Sequence, residues 1–251
     1  MIIADRIKTY IKDHCEEKRV ADVRMGLGYT GVFLEGGGCG VAFTFKEGLD
    51  HGCSVFSGKR PLVGKSSHEL VDYVGSLSLL ESALGLSTVN ALVNSSRTVQ
   101  AEGDVMDMLQ WRKEDRVGMV GYFGPLLRPL REKVKELVIF EMDEDREEGV
   151  FPAQDAYTEL PRCDVAILTS TSLINGTADG LLEAAQGCRE VILLGASTPF
   201  LSDVFEPLGV TLLSGIVVLD VPSLLRTISE GGGMGYFGET VQKTTMRLRQ
   251  R

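Results

Sequence analysis

Apolar residues recur at helical intervals at the start of the chain. One face of the segment 3–14 carries Ile3, Ile7, Tyr10, Ile11 and His14. This period predicts an amphipathic helix, and the charged residues 16–19 are expected to end it. Because His14 shares the apolar face, we expect a core histidine there rather than a metal ligand.

The period shortens to two after this helix. Three short β-rich segments follow, at 20–26, 31–35 and 40–45. The glycines at 36–38 provide the permissive backbone of a hairpin turn. Helices are predicted next over 68–76 and 77–94. Hairpin strands followed by helices predict an α+β unit.

From about residue 100 the strand and helix patterns alternate. The predicted strands are 116–120, 137–142, 164–170, 190–194 and 215–219. The predicted helices are 126–135, 175–186, 200–208 and 222–230. Nearly continuous Val, Ile and Leu within the strands indicate a parallel sheet that is covered on both faces. This part is therefore predicted to be a doubly wound, Rossmann-like sheet.

The predicted fold class is α/β with α+β, in two domains. The change of pattern places the boundary at 95–115, with an α+β domain over 1–100 and a Rossmann-like domain over 101–251. The acidic run 141–148 is expected to be the solvated exit of a strand. The basic tail 243–251 is expected to be a frayed end.

Composition argues against several classes of function. The 26 Lys and Arg are outnumbered by 35 Asp and Glu, whereas nucleic-acid binding needs clustered cations. No apolar run approaches the roughly 18 residues of a membrane span, and Asp5 and Arg6 interrupt the place where a signal peptide is apolar. Five scattered cysteines support neither a disulfide framework nor a zinc cluster. We expect a cytoplasmic protein that binds neither nucleic acid nor membrane.

Glycines follow the first strand of the second domain, where an open parallel sheet binds its ligands. Gly118, Gly121 and Gly124 are spaced at three-residue intervals, which meets the dinucleotide-binding pattern G-x-G-x-x-G only in part. Pro125 marks a start of the next helix, and Pro129 marks a later start equally well.

Glu141 stands 20 residues after Gly121, at the end of the second strand of this domain. An acidic residue at this place accepts hydrogen bonds from a ribose in dinucleotide-binding folds. The alternative is that the glycines only pack a helix against a strand while Glu141 faces water. The sequence favours neither interpretation.

Small hydroxyl side chains follow the third and fourth strands. The first loop contains Thr169, Ser170, Thr171 and Asn175, and the second contains Ser197 and Thr198. Helix capping by Ser and Thr explains each loop separately, but together with the glycine-rich loop they predict one binding crevice. Since the loops contain almost no Lys or Arg, backbone N–H groups and hydroxyls would hold an anionic ligand.

Metal-capable side chains occur as two pairs, His14 with Cys15 and His51 with Cys53. Neither has the second pair that a closed tetrahedral site requires. The remaining cysteines, Cys39, Cys163 and Cys188, are interpreted as small hydrophobic residues. The absence of G-x-S-x-G, P-loop and HExxH motifs disfavours serine-hydrolase, P-loop and zincin mechanisms.

Five motifs follow one another along the chain. They are GVAFTF (40–45), SALGLSTVNAL (82–92), VGMVGYFGPL (117–126), TSTSLINGT (169–177) and GASTPF (195–200). With these motifs nearly the whole chain resembles the heavy-metal chelation family that is also called domain of unknown function 364. The resemblance implies an N-terminal domain similar to the amino-terminal domain of enolase. It also implies a Rossmann-like domain similar to methyltransferase folds, with a site where the two domains meet.

The resemblance also selects residues of that site. Matches to the family's motifs are Gly121, Phe123, Gly124 and Pro125, then Thr169, Thr171 and Asn175, then Ser197 and Thr198, and in the N-terminal domain Thr44 and Asn90. Ser170 stands where a TGTT-like loop has a glycine, so its side chain is expected to narrow the site. The implied role is to make or process a chelating small molecule of the pterin, flavin or siderophore type.

The leading hypothesis is an enzyme that acts on a small heterocyclic or chelator-like metabolite by condensation or hydrolysis. Its cofactor or ligand would be an adenosine-containing molecule or a pterin- or flavin-like one. Such chemistry needs a general base and a polarising donor. Glu141, Asp104 and Glu81 are the candidate carboxylates, and Asn90 is the candidate donor.

Two other functions stay open. One is a non-catalytic carrier of a metal or metal chelate that uses His51 and Cys53. The other is a nucleotide-binding sensor without turnover. The N-terminal helix packs either on its own domain or on a second copy, so a homo-oligomer is one of the expected assemblies.

Overall fold

A computed structural model of the chain describes residues 2–46, 54–95, 105–142 and 149–248. Within these ranges the strands form a small antiparallel sheet of three strands and a large sheet of seven strands. This arrangement confirms a mixed α/β fold in which a mostly parallel sheet accompanies a separate small antiparallel one.

The small sheet lies in the N-terminal half. Its strands are β1 (Val20–Met25), β2 (Tyr29–Leu34) and β3 (Cys39–Phe43). The described helices of this half are α1 (Ile3–His14), α2 (Ser67–Val71) and α3 (Leu79–Val93).

The large sheet lies in the C-terminal half. Its strands are β4 (Arg116–Val120), β5 (Glu136–Glu141), β6 (Val150–Pro152), β7 (Val165–Thr169), β8 (Glu190–Leu194), β9 (Leu212–Val218) and β10 (Val241–Arg247). Its helices are α4 (Val105–Met108), α5 (Gly124–Lys133), α6 (Ala156–Glu159), α7 (Ser172–Asn175), α8 (Ala178–Ala184), α9 (Ser202–Phe205), α10 (Val221–Ser229) and α11 (Met234–Phe237).

The first helix follows its predicted pattern except at its end. Ile3, Ile7 and Ile11 are buried in α1, as their spacing requires. The prediction of a core histidine was wrong, because His14 lies in the exposed last turn. There its ring stacks on Tyr10, with the ring centroids 4.5 Å apart.

Helices of both halves cover the small sheet. α3 packs closely on β3, where a Cβ at Gly40 would lie only 2.2 Å from the backbone nitrogen of Ala91. α10 packs on β2, where a Cβ at Gly31 would lie 2.8 Å from Cδ1 of Ile228. α3 is buried almost all round, yet no described helix is both long and apolar enough to cross a membrane.

The order of strands in the large sheet is β10-β9-β8-β7-β4-β5-β6. Strands β4 to β9 are parallel to their neighbours, and only β10 pairs in the antiparallel direction. The chain winds from β4 through β5 to β6 on one side and from β7 through β8 to β9 on the other. The direction of winding therefore reverses between β4 and β7.

Two strands of the large sheet differ from the predictions. β6 was not predicted; it follows the acidic run, of which 143–148 lie outside the described residues. The tail 243–251 was predicted to fray, but its larger part belongs to β10. Thr244 and Thr245 are buried there, and the Arg247 guanidinium is paired with Glu190 at 2.7 Å.

Four predicted helices differ clearly in their bounds. The helix predicted over 68–76 is shortened to α2, and the one predicted over 200–208 is shortened to α9 and followed by a short 3-10 helix. α5 begins at Gly124, with Pro125 in its first turn and Pro129 inside it, so the later of the two starts is not the one observed. The predicted helix 175–186 is divided into α7 and α8 at Gly176, whose φ of +76° ends the first of them.

The buried apolar side chains of the two halves are continuous. A single cluster contains Ile7 and Leu86 from the N-terminal half together with Leu168 and Phe205 from the C-terminal half. The proposed boundary near 95–115 therefore separates two patterns of secondary structure while the core runs across it.

Candidate functional site

The loops that follow β4 and β7 touch each other where the winding reverses. Gly121 directly follows β4 with φ +96°, and a Cβ there would lie 2.9 Å from the Cβ of Thr169, the last residue of β7. Its N–H donates to the carbonyl oxygen of Phe140 at 2.8 Å. Only glycine combines this left-handed backbone with this close approach.

The β4 loop leads directly into α5. The Phe123 ring folds back toward Gly121. A Cβ at Gly121 would lie only 3.4 Å from Cε2 of this ring. Gly124 and Pro125 are exposed at the start of α5. No side chain caps this helix end and no acidic residue lies in its first turn, so it can attract an anionic group.

Gly118 lies apart from this loop, inside β4. A Cβ there would lie 2.7 Å from Cδ2 of Leu160 and 3.0 Å from Sγ of Cys163. Close packing accounts for this glycine, and a role in binding a cofactor stays a prediction.

The β7 loop presents two threonine hydroxyls side by side. Oγ1 of Thr169 lies 2.9 Å from Oγ1 of Thr171, and both residues are half-buried. Ser172 Oγ donates to the Thr169 carbonyl at 2.6 Å and so fixes the turn into α7. The loop therefore presents hydroxyls, whereas the alternative of helix capping does not account for it, because no side chain caps the start of α7.

Asn175 and Glu141 extend the same edge of the sheet. Nδ2 of Asn175 contacts Sδ of Met142 at 3.8 Å, which joins the β7 loop to the end of β5. Oδ1 of Asn175 accepts from the hydroxyl of Thr177 at 2.7 Å. Glu141 is half-buried at the last position of β5, and its Oε1 accepts from the N–H of Met142 at 2.8 Å.

We call the predicted residues that share this accessible edge the rim. They are Gly121, Phe123, Gly124, Pro125, Glu141, Thr169, Thr171 and Asn175. The rim joins the carboxyl ends of three neighbouring strands, β5, β4 and β7.

The other predicted residues near the sheet lie in what we call the junction, the packed contact between the two halves. They are Thr44, Asn90, Ser170, Ser197 and Thr198, and each is at most 3% exposed. Nδ2 of Asn90 donates to the carbonyls of Val41 at 2.8 Å and Ser197 at 3.1 Å. Both of its N–H groups are therefore committed, and Asn90 offers an acceptor here rather than the predicted donor.

Further hydrogen bonds close the junction. Ser197 Oγ accepts from the backbone N–H of Phe43 at 2.9 Å. Thr44 Oγ1 pairs with Oγ1 of Thr30 at 2.9 Å within the N-terminal half, next to Phe43. Ser170 is buried rather than narrowing an open loop.

Asn94 belongs to the junction although sequence reasoning missed it. Its Nδ2 donates to the Thr198 carbonyl at 2.9 Å, and its Oδ1 accepts from the Phe200 N–H at 3.0 Å. The available signal was its spacing of four residues from Asn90, which places both side chains on one face of α3.

Comparisons with known proteins cover most of the chain. The sequence pattern of the DUF364 family, described as "Putative heavy-metal chelation", matches residues 104–247. This chain belongs to the DUF364 family. A second pattern with the same description, DUF4213, matches residues 8–93. The resemblance noted from the five motifs is thereby confirmed.

Relatives of this DUF364 protein come from archaea and bacteria. An uncharacterized protein of Methanocaldococcus jannaschii is 25% identical over 254 residues, which cover 98% of this chain and 96% of the relative. A crystal structure of a DUF364 protein with unknown function from Pyrococcus horikoshii is 25% identical, with a TM-score of 0.86 over 98% of this chain and 100% of that one. One from Desulfitobacterium hafniense is 24% identical, with a TM-score of 0.80 and 98% coverage of each chain.

Glu81 lies far from the rim of this DUF364 protein. It is in the first turn of α3, where its carboxylate accepts from the hydroxyls of Ser76 at 2.7 Å and Ser57 at 3.2 Å. Nine residues of helix separate it from Asn90, about 13 Å along the axis. The structure therefore does not bring it to the rim or the junction. Asp104 lies outside the described residues.

Metal-binding side chains do not gather in the described part of the DUF364 chain. No group of three His, Cys, Asp or Glu side chains there is placed to hold a metal ion. Burial raises the pKa of Cys39 to about 12 and that of Cys163 to about 11, so both are protonated thiols at neutral pH. His51 and Cys53 lie outside the described residues.

Two surface cavities occur away from the rim and the junction. One, of about 460 Å³, is lined by residues such as Ile3, Asp179 and Leu208. The other, of about 470 Å³, lies between the small sheet and α10 and is lined by residues such as Arg24, Phe33 and Leu225. Neither contains a residue that the sequence predicted to bind a ligand.

Proposed function

We propose that this DUF364 protein binds a small heterocyclic or chelator-like metabolite at the rim and acts on it as an enzyme. The observation that carries the proposal is the contact between Gly121 and Thr169. It brings a glycine loop, an uncapped helix end and two threonine hydroxyls together at the reversal of winding. Open parallel sheets bind their ligands at this place.

We infer that the C-terminal half is a Rossmann-like domain. Counted from β4, its six parallel strands among the described residues have the spatial order 3-2-1-4-5-6, which is the order of dinucleotide-binding folds. The antiparallel strands and following helices of the N-terminal half support an enolase-like amino-terminal domain. The family patterns match 8–93 and 104–247, which supports domains over 1–100 and 101–251.

Apart from Glu141, the rim offers a ligand only neutral hydrogen-bonding groups. None of its members is Lys or Arg, so N–H groups at the start of α5 and the threonine hydroxyls would hold a phosphate or carboxylate. Glu141 would accept hydrogen bonds from a ribose diol in an adenosine-containing cofactor. In condensation or hydrolysis of a pterin- or flavin-like ligand, its carboxylate is the general base that the rim offers.

A second candidate is a non-catalytic carrier of a metal chelate. The matching family descriptions favour it, since both refer to heavy-metal chelation. Because no three-residue metal cluster occurs among the described residues, the metal would arrive already bound to an organic chelator. None of the cysteines in the described ranges (Cys15, Cys39, Cys163 and Cys188) forms a disulfide, which supports a reducing compartment such as the cytoplasm for either function.

Calorimetric titration tests the binding site. The probes are adenosine, S-adenosylmethionine, NAD, riboflavin, pterin and a ferric chelate. Gly121→Val should weaken binding of the recognised probe at least tenfold, because the new side chain would collide with Thr169. Gly149→Val is the matched control, since Gly149 has φ +94° and no atom lies within 4 Å of the position that a Cβ would take there.

The two variants separate local collision from backbone strain. Equal loss of affinity in both, or full affinity in Gly121→Val, would contradict binding at the rim. Mass spectrometry of the bound probe after incubation separates the two functions. Conversion that depends on Glu141 supports the enzyme, and recovery of the unchanged chelate supports the carrier.

A further inference from the structure

Three buried polar atoms in the junction have no hydrogen-bond partner among the described residues. They are Oδ1 of Asn90, Oγ of Ser170 and Oγ1 of Thr198. Each residue is at most 1% exposed. The described chain has one other such side-chain atom, Nε of Arg6, so three of the four belong to the junction.

The three residues lie in or beside a single turn after β8. Asn90 donates to the carbonyl of Ser197, the neighbour of Thr198. The N–H of Thr198 donates to the carbonyl of Gly195 at 3.0 Å. Oγ of Ser170 lies 2.6 Å from the position that a Cβ at Gly195 would take. Glycine at this position therefore leaves room beside the serine hydroxyl.

The donors and acceptors at this turn define what can bind there. Both N–H groups of Asn90 are used by backbone carbonyls, so Oδ1 needs a donor. The hydroxyls of Ser170 and Thr198 each have a proton to give and lone pairs to receive. All three groups are neutral, so a cation would lack the charge compensation that burial demands.

We propose that the junction contains a binding site for one internal water molecule, held by Asn90, Ser170 and Thr198. Water supplies two donors and two acceptors, which matches an obligate acceptor flanked by two hydroxyls. Buried polar groups without protein partners are regularly satisfied in this way. The water links α3 of the N-terminal half to the ends of β7 and β8, independently of what the rim binds.

A crystal structure at about 1.5 Å resolution tests the site directly. We expect one isolated density peak at hydrogen-bonding distance from Asn90 Oδ1 and from at least one of the two hydroxyls. A dry site, a peak with the coordination of a metal ion, or a protein group paired with these atoms would overturn the proposal.

Thermal unfolding provides a second test, because the direction of the change in Tm shows whether the water is bound. If water is bound, Ser170→Ala and Thr198→Val each remove one of its partners and lower the Tm by about 2 to 4 °C. If the site is dry, both variants delete an unsatisfied buried hydroxyl, and the Tm stays or rises.

Combining the variants shows whether they share one ligand. We expect the double variant Ser170→Ala/Thr198→Val to lose less than the sum of the single losses, because one water is lost only once. Ser82→Ala is the control partner, since this buried residue lies eight positions from Asn90 on α3, and its effect should add to that of Thr198→Val. Additivity in both pairs would overturn a shared water.

Discussion

At the scale of residues, burial decided which predicted side chains are available for binding. Thr169 and Ser170 are neighbours in sequence, but Thr169 ends a strand at the rim while Ser170 turns into the junction. Asn90 was predicted as a donor and has its N–H groups committed to carbonyls. Residue type alone could indicate a polar site. Which of these residues face the rim and which face the junction depends on how α3 packs against the strand ends.

A buried thiol and a half-buried phenol in the small sheet make the stability of the fold depend on pH in the alkaline range. Burial raises the pKa of Cys39 from 9.0 and that of Tyr29 from 10.0, each to about 12. Their neutral forms stabilise the fold below pH 9, and this contribution is lost as the pH rises from about 9 toward 12. We expect the free energy of unfolding, measured by urea titration, to fall as the pH rises from 9 to 11, by at most roughly 1 kcal/mol per pH unit for each group.

The Cys39→Val variant isolates the contribution of this thiol to the pH dependence of stability. Its stability should decline less steeply with pH than that of the unsubstituted protein, since one ionising group is gone. An identical slope for the two proteins would show that Cys39 ionises without cost to the fold.

At the scale of elements, the hydrophobic period predicted the central parallel strands closely, the helices only approximately, and the edges of the sheet not at all. β7 and β8 are continuous apolar segments and were predicted at nearly their observed bounds. β10 has the polar sequence VQKTTMR, which has no strong strand pattern. It forms a strand because β9 presents an unpaired edge and because Glu190 binds Arg247.

Removal of β10 should therefore destabilise the whole large sheet. A chain that ends at residue 240 exposes the edge of β9 together with Thr211–Val218, a segment that is almost entirely buried. We expect aggregation or a strongly lowered urea midpoint, because exposed apolar strand edges pair with other chains. Size-exclusion chromatography and urea titration would measure both effects.

A shorter truncation is the matched control. A chain that ends at residue 248 keeps β10 and its pairing with β9, so its midpoint should be unchanged. A soluble chain ending at 240 with an unaltered midpoint would support the frayed tail that the sequence predicted.

At the scale of the whole molecule, the continuous core joins the two halves into one cooperative structure. Ile7 of α1 is 1% exposed and packs in the same cluster as Leu168 and Phe205 of the C-terminal half. The junction adds hydrogen bonds from Asn90 and Asn94 to the β8 turn. Sequence reasoning expected an open crevice between the domains, whereas this contact is packed.

Unfolding in urea should consequently show one transition for both halves. The single tryptophan, Trp111, lies in the C-terminal half, whereas Ile7 lies in the N-terminal half. Ile7→Ala should nevertheless lower the free energy of unfolding that Trp111 fluorescence reports, by about 2 to 4 kcal/mol. Hydrogen exchange in the small sheet should change by a similar free energy. Ile2→Ala, at a residue that is 55% exposed, is the control.

Two separate transitions would contradict this coupling. So would an Ile7→Ala variant in which exchange in the small sheet accelerates while Trp111 fluorescence keeps its original midpoint. Either result would favour halves that fold independently on each side of residues 95–115.

The sequence by itself determined the helices and strands whose apolar period is strong, the family, and the glycine and hydroxyl loops at the strand ends. These features depend on local backbone preferences and on burial of one face, which neighbouring residues specify. Tertiary structure decided the pairing of β10, the division of the polar residues between rim and junction, and the separation of Glu81 from both. These features depend on contacts between segments such as α3 and the β8 turn, 100 or more residues apart, and no local pattern encodes that approach.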